Sequence, residues 1–141
     1  MQKREDERSL FARYFCQNEF DKNQLERNWV QVNNSLSIEK GTLRGLHFQQ
    51  SLYSEVKLIR CIRGKIWDVI VDVRANTSTY GKWFGAELNE ENRTMMYIPK
   101  GFTHGFISLV ENTEILYMVS SLYNPEAERT LRLNDKFHNI E

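Results

Sequence analysis

The run Lys65-Ile66-Trp67-Asp68-Val69-Ile70-Val71-Asp72-Val73 leaves this chain little choice but an extended strand. It is filled with β-branched and aromatic residues, which suit a pleated surface, and it contains neither Gly nor Pro. Period two sets Trp67, Val69, Val71 and Val73 on one face and Ile66, Asp68, Ile70 and Asp72 on the other. The first face reads as core. The second places two carboxylates among isoleucines, and each of these needs a partner, water or a proton. Taken alone, that pattern reads most simply as a barrel rim with exposed acids.

The same grammar runs along most of the chain. Strand-like segments fall at 30–34, 43–48, 57–63, 65–73, 83–88, 94–98, 105–109, 113–120 and 128–133, with turns at 63–64, 76–81, 99–101 and 111–112. Strands at this spacing predict an all-β sandwich or barrel. Residues 18–27 are polar around Phe20 and Leu25 and predict one short surface helix capped by Asn18. At 141 residues the chain is expected to form a single domain over 1–141.

Composition narrows the partners. Nineteen basic side chains balance nineteen acidic ones, so no basic excess is available to displace counterions from a nucleic-acid backbone. Cys16 and Cys61 are the two cysteines, which is no disulfide framework and fits a reducing, cytoplasmic setting. No apolar run approaches the ~20 residues that cross a bilayer, and the charged N-terminus is not a secretory signal. The reading is a cytoplasmic protein with neither a nucleic-acid nor a membrane partner.

Three histidines invite a metal question: His47, His104 and His138. Segments 41–47 and 99–104 resemble the two short motifs of the cupin barrels, whose metal-binding members usually supply three histidines and a glutamate. The position two residues after His47, where such members place a second histidine, is Gln49, and His138 lies in a polar tail. A stable transition-metal site wants three or four imidazole, thiolate or carboxylate ligands, so no metal is expected.

A more specific likeness comes from an ordered set of motifs. Leu43-Arg44-Gly45-Leu46-His47-Phe48-Gln49 is followed by Lys57-Leu58-Ile59-Arg60-Cys61 and Gly64-Lys65-Ile66-Trp67-Asp68-Val69. Asp6-Glu7-Arg8, segment 30–35, Ile98-Pro99-Lys100-Gly101-Phe102-Thr103-His104-Gly105-Phe106, Glu114-Ile115-Leu116-Tyr117 and Asn134-Asp135 complete it. Together they resemble the dTDP-4-dehydrorhamnose 3,5-epimerase family. The resemblance implies a cupin-type double-stranded jelly roll and usually a homodimer exchanging N-terminal strands. It also implies a sugar-nucleotide substrate, most simply dTDP-linked, and no cofactor. The activity implied is inversion of C3 and/or C5 of a nucleotide-linked 4-keto-6-deoxyhexose, of the dTDP-4-dehydro-6-deoxyglucose to dTDP-4-dehydrorhamnose type.

That chemistry needs a base beside a carbonyl, a holder for the enolate oxygen and an acid on the opposite face. A base with a pKa near neutrality favours His, and His47 is the candidate. The resemblance gives the oxyanion role to Lys57. A phenol keeps its proton at neutral pH yet can give it to a basic carbon, and Tyr117 fits. The resemblance assigns substrate contacts to Arg8, Gln31, Val32, Asn33, Arg44, His104 and Glu128, with Arg8 reaching across a dimer. Strict alternation sends Arg44 and His47 to opposite faces, so both line one pocket only if the strand is irregular, which Gly45 would permit. Asp68 is expected to orient the base, as carboxylates do for catalytic imidazoles.

The sequence also departs from the family pattern. Ser9, Leu10 and Arg13 stand where relatives carry Gly, an aromatic residue and Glu, and the charge reversal at Arg13 is expected to alter how sugar or phosphate is held. Residues 35–43 span one position more than is usual, and Arg129 replaces a small residue. The family pattern runs on past Glu141 into a segment with a carboxylate for the catalytic histidine, so this chain is expected to lack that segment. Two rival readings follow: a catalytically silent sugar-nucleotide binder on the same barrel, and a metal-dependent cupin enzyme.

Overall fold

In the computed structural model, which describes residues 3–132, the expected all-β architecture is present as two facing antiparallel sheets. One sheet has the order β3 (Gln31–Ser37), β10 (Thr113–Val119), β5 (Lys57–Arg63), β8 (Met95–Ile98). The other has the order β11 (Glu128–Thr130), β4 (Leu43–Gln49), β9 (Phe102–Ser108), β6 (Lys65–Asp72), β7 (Trp83–Asn89). A small hairpin of β1 (Lys3–Glu5) and β2 (Leu10–Ala12) precedes them. Neither hairpin strand is announced in the sequence, because three-residue strands are too short to show alternation. Gly64 alone separates β5 from β6, and these lie in different sheets. The turn expected at 63–64 is therefore a corner where the chain crosses the sandwich.

The core lies between the sheets. Ile59, Cys61 and Ile115 from one side meet Ile66, Ile70, Leu88 and Phe106 from the other, with Met96 and Ile98 at the margin. The inward face of β6 is thus the one bearing Asp68 and Asp72, and both carboxylates are fully buried. The rim reading of these acids is corrected: both lie inside the protein, Asp72 with both oxygens hydrogen-bonded and Asp68 paired through Oδ1 alone, its Oδ2 having no partner among the described residues. Val69 and Val71, on the face expected to be pure core, form a second cluster with Leu46 that Trp67, Trp83 and Leu131 cover from outside. Asp72 closes the loop after β6, accepting hydrogen bonds from Arg74 Nε (2.9 Å) and Nη2 (2.7 Å), Thr77 Oγ1 (2.9 Å) and Thr79 Oγ1 (2.6 Å).

The helix is displaced from the expected 18–27. Helix α1 spans Gln17–Lys22 with Cys16 at its N-cap, and no side chain caps it. The Cys16 carbonyl accepts from Glu19 and Phe20, which starts the first turn before Asn18. Gln24 adopts φ 56, and the Leu25 N–H returns to the Phe20 carbonyl, ending the helix well short of Arg27. Phe20 stacks edge-on with Phe15 (4.9 Å) and Trp29 (6.2 Å), which closes this elbow on itself, and the Glu26 N–H ties it to β8 by donating to the Tyr97 hydroxyl (3.0 Å). Strand β9 begins at Phe102 rather than 105, so His104 sits within it and not at a corner. Strand β11 stops at Thr130, and position 133 lies outside the described residues, as do Asn134, Asp135 and His138. Among the described residues no helix is long and apolar enough to cross a membrane.

Candidate active site

The cross-strand register of the larger sheet determines which side chains look inward. Ile70 is paired with His104 and His104 with His47, while Asp68 is paired with Phe106 and Phe106 with Arg44. Directly opposed residues share a face, so all six point toward the core side. Between the Arg44 and His47 pairings β4 advances three residues (47 − 44) while β9 advances two (106 − 104), the signature of a bulge. Gly45 makes it possible: its φ is +105, and a Cβ there would lie 2.5 Å from the His104 carbonyl oxygen. Gly105 faces it, where a Cβ would lie 2.6 Å from the Arg44 carbonyl oxygen. The irregularity that the sequence demanded is present, and Arg44 and His47 line one cavity.

That cavity, about 440 Å³, is also walled by Lys57, His104, Phe106 and Tyr117. A second cavity of about 340 Å³ is walled by Gln31, Asn33, Glu55, Tyr123 and Glu128. His47, Lys57 and Tyr117 belong to both. Mixed polar and apolar cavities of a few hundred cubic ångströms are the usual seats of small ligands.

Each of the three shared side chains has a defined setting. His47 is half-exposed, and its partners come from β11, whose register places Thr130 directly opposite it. Thr130 Oγ1 lies 3.2 Å and Glu128 Oε1 3.6 Å from His47 Nδ1. Lys57 is largely buried, with its ammonium 3.0 Å from Glu55 Oε1. Tyr117 comes from the facing sheet, where it packs against the core beside Ile115. Burial, first, and then the Glu55 carboxylate push the Tyr117 phenol up from its ordinary pKa, with Arg44 opposing. The phenol therefore stays protonated at neutral pH.

Asp68 does not touch His47. Its Oδ1 accepts from His104 Nε2 at 2.5 Å, because His104 occupies the neighbouring strand between Asp68 and the base. The orienting role expected of Asp68 toward His47 is therefore corrected: it orients His104. Val32 is a second correction, since alternation along β3 turns its side chain to the opposite face, beside Leu58, Leu116 and Met118. Gln31 and Asn33 do face the second cavity, with Gln31 Nε2 donating to Asn33 Oδ1 at 2.6 Å. Arg8 lies in the β1–β2 turn, its side chain 87% exposed and donating to Asp6, and it lines neither cavity. The guanidinium of Arg13 is paired with Glu19 at 2.9 Å.

The sequence reading passed over Glu55, Thr130 and Tyr123. Glu55 stands two residues before Lys57, the one available signal that both face the same way. Tyr123 donates its hydroxyl to Glu128 Oε2 at 3.0 Å, a contact across a turn that no periodicity exposes. Gln49, at the position of a metal histidine in cupins, has its amide committed to Tyr53 O, Leu122 O, Glu55 and the Asn124 N–H. Among the described residues no group of three or more His, Cys, Asp or Glu is gathered to hold a metal ion.

Comparison with known proteins places this geometry in a family context. The family model described as dTDP-4-dehydrorhamnose 3,5-epimerase matches residues 1–141. A protein of Sinorhizobium fredii with that name is 45% identical over 130 residues, which cover 92% of this chain and 67% of that protein. The crystal structure of the enzyme so named from Elizabethkingia anophelis superposes with a TM-score of 0.95 at 39% identity, over 99% of this chain and 76% of the other. A Legionella pneumophila dTDP-6-deoxy-D-glucose-3,5-epimerase in complex with dTDP-4-keto-L-rhamnose superposes with a TM-score of 0.92 at 35% identity, over 99% of this chain and 74% of that one.

Proposed function

This chain belongs to the dTDP-4-dehydrorhamnose 3,5-epimerase family, and we propose that it inverts C3 and C5 of a dTDP-linked 4-keto-6-deoxyhexose by proton transfer at His47 and Tyr117. One observation carries the assignment of roles: His47, Lys57 and Tyr117 are the side chains common to both cavities. A ligand occupying both must pass between them.

The steps follow from their chemistry. The His47 imidazole removes the proton from a ring carbon next to the C4 carbonyl, and the C–H electron pair moves into the ring to leave an enolate with its charge on the C4 oxygen. The Lys57 ammonium stabilises that charge, a contribution of about 3 to 4 kcal/mol for single donors in other enzymes. Tyr117 enters from the facing sheet and gives its hydroxyl proton to the opposite face of the same carbon, restoring the ketone with inverted configuration. Exchange with water then returns the imidazolium and phenolate to their starting states. The route asks nothing of a cofactor. Thr130 and Glu128 supply the orienting contacts on His47 Nδ1. Arg44 and His104 hold the sugar side, and Gln31, Asn33 and Glu128 the nucleotide side. Arg8, turned away from the cavities of its own chain, serves those of a second copy in a homodimer. The protein works in the cytoplasm.

The test is epimerisation in D2O followed by NMR. Deuterium should appear at C3 and C5 with the wild-type protein, and His47→Ala should abolish it at both. Binding of the sugar nucleotide without exchange at either carbon would make the chain a silent binder and refute the proposal. Activity abolished by chelation and restored by a metal would likewise refute it.

A further inference from the structure

The ammonium assigned to the enolate oxygen does not stand free in its cavity. Lys57 Nζ lies 3.0 Å from Glu55 Oε1, with the two side chains only 15% and 10% exposed. The other Glu55 oxygen, Oε2, accepts from Gln49 Nε2 at 3.2 Å. Gln49 is itself buried and anchored on backbone, since its Nε2 also faces Tyr53 O and Leu122 O at 3.2 Å and its Oε1 accepts from the Asn124 N–H at 2.6 Å. A chain of polar contacts thus runs from the loop at 122–124 through Gln49 and Glu55 to Lys57.

A lysine side chain has four rotatable bonds and a strongly hydrated head, so an untethered ammonium spreads over many positions. A buried carboxylate with both oxygens engaged removes that freedom. An ammonium has three donors and Glu55 uses one of them, which leaves the others directed away from Glu55 for a substrate oxygen. Preorganised charge of this kind stabilises a developing anion without further rearrangement. Resting on the epimerase reading above, we infer that Glu55, braced by Gln49, is a positioning residue that fixes the Lys57 ammonium for the enolate oxygen.

The test is a double-mutant cycle on deuterium exchange at C3 and C5. Glu55→Gln preserves shape and removes the charge, and it should lower kcat about tenfold or more while KM changes less than about threefold. In a Lys57→Met background the same substitution should cost less than about twofold, because the group through which Glu55 acts is gone. Glu55→Ala should recover part of its lost activity with added formate, which replaces the carboxylate and does nothing for a packing defect. Losses that multiply independently of Lys57, or a KM effect with kcat intact, would overturn the inference. A wild-type chain that binds the sugar nucleotide but exchanges neither carbon overturns the parent reading. Undiminished exchange in Glu55→Gln overturns this one alone.

Discussion

Replacing Gly45 by Ala tests whether the bulge in β4 is built on backbone contact. Two costs are separable at this position. The first is conformational: φ +105 is a region L-residues avoid, at about 1 to 2 kcal/mol. The second is steric, because the new methyl would lie 2.5 Å from the His104 carbonyl oxygen and 2.6 Å from Gly105 Cα, and neither is a flexible side chain that can swing aside. Overpacking of this kind adds about 1 to 3 kcal/mol. Gly41 supplies the control, since its φ is +83 but nothing lies within 4 Å of a Cβ there. Urea denaturation of both variants should show Gly41→Ala losing about 1 to 2 kcal/mol and Gly45→Ala about 2 to 5 kcal/mol. Only Gly45→Ala should also slow exchange at the sugar carbons, because relief of the clash separates β4 from β9 and moves Arg44 and His47 relative to His104. Equal destabilisation by the two substitutions would refute the close-approach argument. So would a Gly45→Ala protein with wild-type exchange.

Two further outcomes follow from other contacts. The Arg74 guanidinium, ahead of Thr79, the Arg74 N–H and Thr77, holds the buried Asp72 carboxyl well below the usual carboxylate range against the opposing effect of burial. A depressed folded-state pKa contributes stability above the unfolded value near 4 that is lost as pH falls, so the stability gap between wild type and Asp72→Asn should be widest at neutral pH and shrink below about pH 4; a pH-independent gap from urea titrations would contradict this. Thr130→Val removes the hydroxyl 3.2 Å from His47 Nδ1, and exchange should slow about 2- to 10-fold, the worth of one hydrogen bond, with Thr130→Ser close to wild type. Identical rates for Val and Ser would take Thr130 out of the orienting role.

What could be read in the chain and what could not divide along a physical line. Strand β6 was legible because its period-two pattern runs uninterrupted for a full strand, and the need for an irregular β4 followed from Arg44 and His47 being three residues apart. Which face of β6 turned inward was not legible. Both faces are apolar enough to be buried, and alternation cannot say which one meets the second sheet. The partner of Asp68 was missed for the same reason: His104 reaches it only because β9 inserts between β4 and β6, a matter of strand order that no local pattern encodes. Val32 was carried along by its neighbours in a motif, although alternation alone would have separated it from Gln31 and Asn33. Helix α1 was misplaced because its start is set by the Cys16 backbone and not by a capping side chain.

The common wall of His47, Lys57 and Tyr117 has a consequence for how such a protein can diversify. With sugar and carrier placed as proposed above, substitutions at Ser35, Leu43 or Ile115 would reshape the seat of the sugar and set how far the ring can pivot, while changes at Gln31, Asn33 or Tyr123 would retune the grip on its carrier. Neither set includes a proton-moving group. Sugar and carrier preferences are thus free to drift separately around an unchanged reaction centre, and which carbon is inverted becomes a question of steric latitude.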